Sequence, residues 1–263
     1  MEINKIYNEN CLDTMARMPD EFIDLVVTSP PYDNLRKYNG YSFDFEAIAK
    51  ELFRVVKVGG VVVWVVADAT VNGSETGTSF RQALHFMSLG FNLHDTMIYQ
   101  REKIPQEHTR YQQHFEYMFV FSKGTPSSFS AIRVQANKAG QKASKHSERN
   151  KEGVVKYART TSHYAETKVI GNVWKYHCGY MHTTKDEIAF EHPAMFPEKL
   201  AKDHILSWSN EGDLVYDCFG GSGTVAKMAH LEKRNWILSE ISSEYAELAA
   251  KRIDPYLRQM TLF

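Results

Sequence analysis

A chain of 263 residues with 31 Lys+Arg against 32 Asp+Glu and 43% hydrophobic residues has the size and balance of one large α/β domain, or of such a domain carrying an insertion. No apolar run approaches the roughly 20 residues that a membrane span needs, and residues 1–5 lack the apolar stretch of a secretory signal, so a cytoplasmic protein with no membrane partner is expected. The three cysteines, Cys11, Cys178 and Cys218, form no CxxC pair and give no case for a metal site or a disulfide framework.

In chain order, residues 5–8 read as a short strand and 11–18 as a helix. Asn10 is the expected N-cap, and Asp13 lies in the first turn, where an acid complements the helix dipole. The apolar run 23–27 reads as a buried strand that ends on Thr28-Ser29-Pro30-Pro31-Tyr32. Each proline fixes φ near about −65° and lacks an N–H. The result is a stiff corner presenting backbone carbonyls, a hydroxyl and an aromatic face at the carboxyl end of a strand, the end at which open α/β sheets bind ligands. Residues 33–41 read as a polar, aromatic loop in which Arg36 and Lys37 suit contact with phosphates and bases. Helical spacing of Phe45, Ile48, Ala49, Leu52, Phe53 and Val56 predicts a helix with one face on a sheet. Gly59-Gly60 closes the connection, and residues 61–66, valine apart from Trp64, read as a strand buried on both faces. A helix is predicted over 76–89 with Gly90 as its C-cap, then strands over 92–99 and 115–121.

Residues 125–187 have weak periodicity and many Lys, Ser, Gln, Asn and Gly. Between Lys123 and Lys185 stand 12 Lys+Arg and 3 Asp+Glu, a balance of +9, which leaves −10 for the rest of the chain. A basic segment in an acidic body points to a polyanionic partner. Its phosphate-contact candidates are Lys138, Lys142, Lys145, Arg149, Lys151, Lys156 and Arg159. The remainder, 188–263, contains a helix start at Pro197. Residues 215–224 follow, a strand running into a glycine-rich turn and a helix over 224–233. Gly221-x-Gly223 is only part of a dinucleotide fingerprint, because Ala226 takes the last glycine place. The strand 236–239 ends at Glu240, roughly 20 residues past the glycines, the offset at which nucleoside-binding α/β folds hold a ribose. Ser242 can cap a last helix to about residue 253, and the tail after Pro255 reads as peripheral.

The pair of stretches, Ser29-Pro30-Pro31-Tyr32 early and Asp217-Cys218-Phe219-Gly220-Gly221-Ser222-Gly223 late, resembles the S-adenosylmethionine-dependent DNA amino-methyltransferases, and their order resembles the β class. The resemblance implies a Rossmann-like α/β fold: a mostly parallel sheet with helices on both faces, an antiparallel edge hairpin, and an inserted basic target-recognition segment. The catalytic domain would comprise 1–124 and 188–263, interrupted by that segment at 125–187. It implies cofactor contacts from Asp13, from Pro193, Ala194 and Phe196 of a His-Pro-x-x-x-Pro stretch, and from Asp217, Phe219, Gly221, Gly223 and Glu240. Members typically have proline where this chain has Cys218.

The implied reaction moves a methyl group from S-adenosylmethionine to the exocyclic amine of a base flipped from double-stranded DNA. Ser29 Oγ and the Pro30 carbonyl accept the amino hydrogens, Pro31 stiffens the corner, and Tyr32 stacks on the base. A serine at the first motif position is commoner among N4-cytosine enzymes, so the reading leans to cytosine N4 with adenine N6 as the alternative. Homodimers are frequent in the family. The rival readings are an enzyme of the same fold acting on RNA or a small molecule, a nucleic-acid-binding protein without catalysis, and a nicotinamide oxidoreductase.

Overall fold

The computed structural model describes residues 1–31, 43–101, 111–142, 146–158 and 163–259. The chain forms two compact units, Met1–Ser130 with Asn172–Phe263, and Ala131–Gly171.

The larger unit opens with β1 (Lys5–Tyr7), α1 (Cys11–Ala16), β2 (Ile23–Thr28), α2 (Phe45–Val55) and β3 (Val56–Val66). Asn10 caps α1 by accepting from Leu12 N, and Asp44 caps α2 by accepting from Ala47 N. A two-residue turn at Asn72-Gly73, both at positive φ, joins β4 (Thr70–Val71) to β5 (Ser74–Glu75), the turn chemistry favoured in short hairpins. Then come α3 (Thr78–Ser88), β6 (Asn92–Arg101) and β7 (Phe115–Ser122). Gly90 follows α3 at φ +110°.

β3 begins immediately after α2 and runs through Gly59-Gly60, where the sequence pattern predicts a connection. The register with β2 shifts between Ile23 and Leu25, and a Cβ on Gly60 would lie 2.7 Å from Val56 Cγ1 and 3.0 Å from the Asp24 carbonyl. Glycine here permits a close-packed irregularity within a strand rather than ending one.

The smaller unit consists of two ribbons, β8 (Arg133–Gln135) paired with β11 (Thr167–Val169), and β9 (His146–Arg149) paired with β10 (Val155–Ala158). The chain returns to the larger unit through β12 (Val173–Tyr176), a 3₁₀ turn (Glu187–Glu191), α4 (Glu198–Trp208), β13 (Leu214–Asp217), α5 (Thr224–Leu231), β14 (Asn235–Ser239) and α6 (Ser243–Gln259). Pro197 stands just ahead of α4 as its N-cap. The last helix continues through Pro255 rather than stopping at residue 253.

Eight strands form one sheet in the order β1-β14-β13-β2-β3-β7-β6-β12. Only the pairs β3–β7 and β7–β6 are antiparallel, so β7 alone runs against the rest. The mostly parallel sheet and the antiparallel hairpin are those expected. One feature differs: the hairpin is not the sheet edge, because β12 adds in parallel outside β6. Four residues with alternating burial inside a polar, basic stretch leave too little pattern to reveal a strand.

Helices cover both faces. On one, Met15, Ile48, Leu52, Val55 and Phe86 pack with Val26, Trp64, Phe121 and Tyr216. An aromatic cluster of Phe45, Trp64, Phe86, Phe91 and Phe121 fills the space between α2, α3 and the sheet, and Trp64 Nε1 donates to Gln82 Oε1 at 2.9 Å. On the other face lie α4, α5 and α6. The valine run of β3 is buried on both sides, as a parallel central strand requires. Among the described residues no helix is long and apolar enough to cross a membrane.

Candidate cofactor and acceptor cleft

From β2 the chain crosses by α2 to β3 on one side. From β13 it crosses by α5 to β14 on the other. β2 and β13 are neighbours, with Leu25 opposite Val215 and Val26 opposite Tyr216. The strand order therefore reverses between them, and a crevice opens at their carboxyl ends. A cleft of about 2090 Å³ occupies that position, lined by Ser29, Pro30 and Pro31 from the end of β2, by Asp217, Phe219, Gly220 and Gly221 after β13, and by Glu240 after β14. Pro193, Ala194 and Phe196 form a further wall. Single small-molecule pockets hold about 300–1,000 Å³, so this cleft has room for more than one ligand.

The two strand ends are clasped. Thr28 Oγ1 donates to Asp217 Oδ1 at 2.7 Å, and Phe219 N donates to the same oxygen at 3.1 Å. Burial pushes the Asp217 carboxyl up to about 7. The Thr28 hydroxyl and the Phe219 N–H oppose that rise, and the Glu240 charge adds to it. Cys218 points into the same clasp, its Sγ 3.6 Å from Thr28 Oγ1, so this residue does not disrupt the turn. Phe219 sets its ring edge-on against Phe43 and Trp64, with centroids 5.6 and 6.1 Å apart.

Glu240 is 9% exposed. Its Oε2 accepts Gly221 N at 2.7 Å and its Oε1 accepts Ser242 N at 2.9 Å. Burial raises its pKa, and those backbone N–H groups hold the rise back. Gly221 sits at φ +49°, and a Cβ there would lie 2.9 Å from His192 Nε2. The His192 ring packs 4.4 Å from Tyr245 and its Nδ1 accepts Ala194 N at 3.2 Å, so one histidine fixes the Pro193 wall against the glycine turn.

Two expected cofactor residues stand elsewhere. Gly223, at φ +77°, does not line the cleft. A Cβ there would meet Ala249 Cβ and Ile253 Cδ1 at 3.0 Å, so this glycine permits close packing of the turn on α6. Asp13 is exposed and also absent from the lining. Glu9, Asn10, Cys11 and Leu12 face the cleft instead, because the first turn of α1 directs Asp13 to solvent. Asp68, at the end of β3, caps α3 by accepting Ser79 N at 2.9 Å and Ser79 Oγ at 2.5 Å.

At the far side of the cleft, Arg101 Nη1 pairs with Glu116 Oε1 at 2.8 Å, beside Tyr99 and Cys178. Nothing in local spacing marks these residues, since they meet only through the β6–β7 ladder and β12.

In the smaller unit, Lys138, Lys142, Arg149 and Lys151 are exposed, and Lys138 Nζ lies 5.8 Å from the centre of the Tyr164 ring. No described residue of this unit is buried. Tyr32, Arg36, Lys37, Lys145 and Arg159 lie outside the described residues, as does the side chain of Lys156.

Comparison with known proteins agrees with this geometry. The family model for DNA methylases, which groups N6 and N4 amino-methyltransferases, matches residues 23–251. The orphan methyltransferase M.BamHII of Bacillus amyloliquefaciens is 56% identical over 238 residues, covering 89% of this chain and 90% of that protein. Among solved structures, the cytosine-N4-specific PvuII DNA methyltransferase superposes with a TM-score of 0.69 at 22% identity, covering 94% of this chain and 85% of that one. A Thermus thermophilus protein, solved in complex with S-adenosyl-L-methionine, has a TM-score of 0.61 at 22% identity, covering 94% and 93%. The chain belongs to the N6/N4 family of DNA methyltransferases.

Proposed function

We propose that the protein transfers the methyl group of S-adenosylmethionine to the exocyclic amine of a base flipped out of double-stranded DNA, with cytosine N4 favoured over adenine N6. One observation carries this reading. The Ser29-Pro30-Pro31 corner and the Gly221–Glu240 cradle come from neighbouring strands and line a single cleft large enough for both a cofactor and a base.

The residues present fit the cofactor. Gly221, at φ +49° and without a Cβ, lets the His192 ring close on the turn and bring the Pro193 wall against it. Each Glu240 oxygen accepts one backbone N–H, and a carboxylate offers about four lone-pair sites, so capacity remains for two ribose hydroxyls. Phe219, Pro193, Ala194 and Phe196 supply apolar walls that exclude water. S-adenosylmethionine, when bound, supplies an electrophilic methyl group on a sulfonium.

An exocyclic amine is a poor nucleophile because its lone pair is delocalised into the base ring. Ser29 Oγ and the Pro30 carbonyl would accept its two hydrogens, draw the nitrogen towards tetrahedral geometry and aim the lone pair. Rate enhancement then comes from positioning. Methylation leaves the nitrogen cationic, and its surplus proton passes to water without a strong base. Tyr32 would stack on the flipped base, whose extrusion costs a few kcal/mol. The lean to cytosine rests on Ser29 at the first motif position.

Double-stranded DNA would be held in part by the basic unit Ala131–Gly171. Nine Lys+Arg against three Asp+Glu suit phosphate contact, and a piece of chain whose described residues are all at least partly exposed gains order from a partner. We place the activity in the cytoplasm, with the chain acting as a homodimer whose mass light scattering would measure.

The test is incubation of the protein with methyl-labelled S-adenosylmethionine and mixed-sequence duplex DNA, followed by digestion and mass spectrometry of the nucleosides. Label in N4-methylcytosine is expected. Label in N6-methyladenine would keep the mechanism and overturn the acceptor assignment. Cofactor binding with no label in DNA would overturn DNA methylation itself.

A further inference from the structure

Outside the lining of the cleft lies a cluster of two buried cations and two half-buried anions that no catalytic step uses. Arg252 of α6 is its centre, with a side chain 0% exposed. Its Nε donates to Asp186 Oδ2 at 2.8 Å, and its Nη2 donates to Glu198 Oε1 at 2.6 Å and Thr184 Oγ1 at 3.2 Å. Its Nη1 points the other way, to the Ser222 carbonyl at 2.9 Å and to Ser222 Oγ and Thr224 Oγ1 at 3.0 Å. Lys227 Nζ binds the same two carboxylates, at 2.7 Å to Asp186 and 2.6 Å to Glu198, but these bonds reach no atom of the glycine-rich turn.

The arrangement has a directional logic. Asp186 and Glu198 bracket the stretch that carries His192, Pro193, Ala194 and Phe196, one wall of the cleft. Ser222 and Thr224 belong to the opposing turn, directly after Gly221. Guanidinium is a rigid fork of five N–H donors, and here the fork spans both walls. Lysine, a single point donor, could satisfy one of them.

We propose that Arg252 is a positioning residue for cofactor binding, setting the distance between the Pro193 wall and the glycine turn. This rests on S-adenosylmethionine as the ligand of that cleft. Because the wall and the turn meet the cofactor and not the acceptor base, the effect falls on cofactor affinity and leaves the methyl-transfer step alone.

The experiment compares Arg252→Lys with Lys227→Met. Both damage the charge cluster, but only the first releases the turn. Isothermal titration with S-adenosylmethionine is run first on the wild type, then on both variants, with melting temperature and steady-state kinetics alongside. Arg252→Lys is expected to raise the cofactor Kd and KM tenfold or more, with kcat at saturating cofactor and DNA within twofold of wild type. Amide exchange over residues 219–224 should quicken. Lys227→Met is expected to lose at least as much thermal stability and keep Kd within threefold. A Kd for Arg252→Lys within threefold of wild type would overturn the proposal, as would an equal rise in Lys227→Met, which would mark the cluster as purely structural. If Arg252→Lys does not fold, Ser222→Ala removes one Nη1 acceptor without uncovering a charge; a two- to fivefold rise in Kd is expected, and no rise overturns the proposal. Wild-type protein that fails to bind S-adenosylmethionine would overturn the cofactor reading and this role together, whereas wild-type binding with unaltered variants overturns this role alone.

Discussion

Asp217 shows how much one buried carboxyl depends on its surroundings. It is 3% exposed and clasps two strands through Thr28. Burial raises it from the ordinary 3.8 to about 7, so between those values the folded protein holds a proton that the unfolded chain has released. Folding is then proton-linked. This residue's contribution is full below about pH 4, is lost as pH rises towards 7, and is level above. Asp217→Asn cannot titrate, and Asn Oδ1 can still accept from Thr28 and Phe219. Relative to wild type, its urea-unfolding free energy should improve from about pH 4 to 7 and stay constant beyond; parallel curves would contradict the assignment. At Ser29 the expectation is kinetic. Ser29→Ala removes one acceptor from the amine and should lower kcat about tenfold at saturating DNA, a loss of the order of one hydrogen bond in the transition state. Full turnover would remove the hydroxyl from the mechanism.

At the scale of elements, the last helix has a larger part than its composition suggests. Pro255 lies inside α6, where its missing N–H costs helix stability, and on sequence grounds the tail after it reads as peripheral. The helix persists because its far end is anchored: Tyr256 OH donates to Asp186 Oδ1 at 2.7 Å. Hydrogen bonds to charged groups contribute about 1.5–3 kcal/mol. Tyr256→Phe should therefore lower the unfolding free energy by about 1–2 kcal/mol in urea titration, since Asp186 keeps Arg252 and Lys227. An unchanged midpoint would mean that the helix end is held by its apolar face alone. Gly223 belongs to this scale too, because its positive φ lets the turn settle on Ala249 and Ile253.

Over the whole molecule, charge and burial divide the labour. The larger unit holds every buried residue among those described, and the smaller carries a net positive charge with none of its described residues buried. A surface of exposed cations that meets duplex DNA releases counterions, and affinity falls linearly with salt on logarithmic axes, with a slope of about −0.9 per phosphate contact. Replacing Lys138, Lys142, Arg149 and Lys151 together by Gln should flatten that slope by up to about 3–4 units and leave the Kd for S-adenosylmethionine unchanged. A slope equal to that of wild type would place the phosphate contacts elsewhere.

Local and periodic features are legible in the sequence. The apolar run before Ser29, the helical spacing after Phe45, the valine strand, the glycine-rich turn and the Asn10 cap each declare themselves within a few residues, and the order of the two motif stretches pointed to the family. Tertiary structure decided whatever depends on residues distant in the chain. β12 is a strand only because β6 offers it an edge. Gly59-Gly60 is part of a strand because the chain after β7 pairs with it, Gly59 N donating to the Lys123 carbonyl and Lys123 N to the Gly60 carbonyl. Gly223 and Asp13 carry the same residue types as cofactor ligands do, and only the packing of α6 and the direction of α1 turn them away from the cleft. Arg252 is one more cation on an amphipathic helix until Asp186, Glu198 and Ser222, between 30 and 66 residues away, close around it. Periodicity reports which face of an element is buried, and it carries no information about which distant side chain waits there.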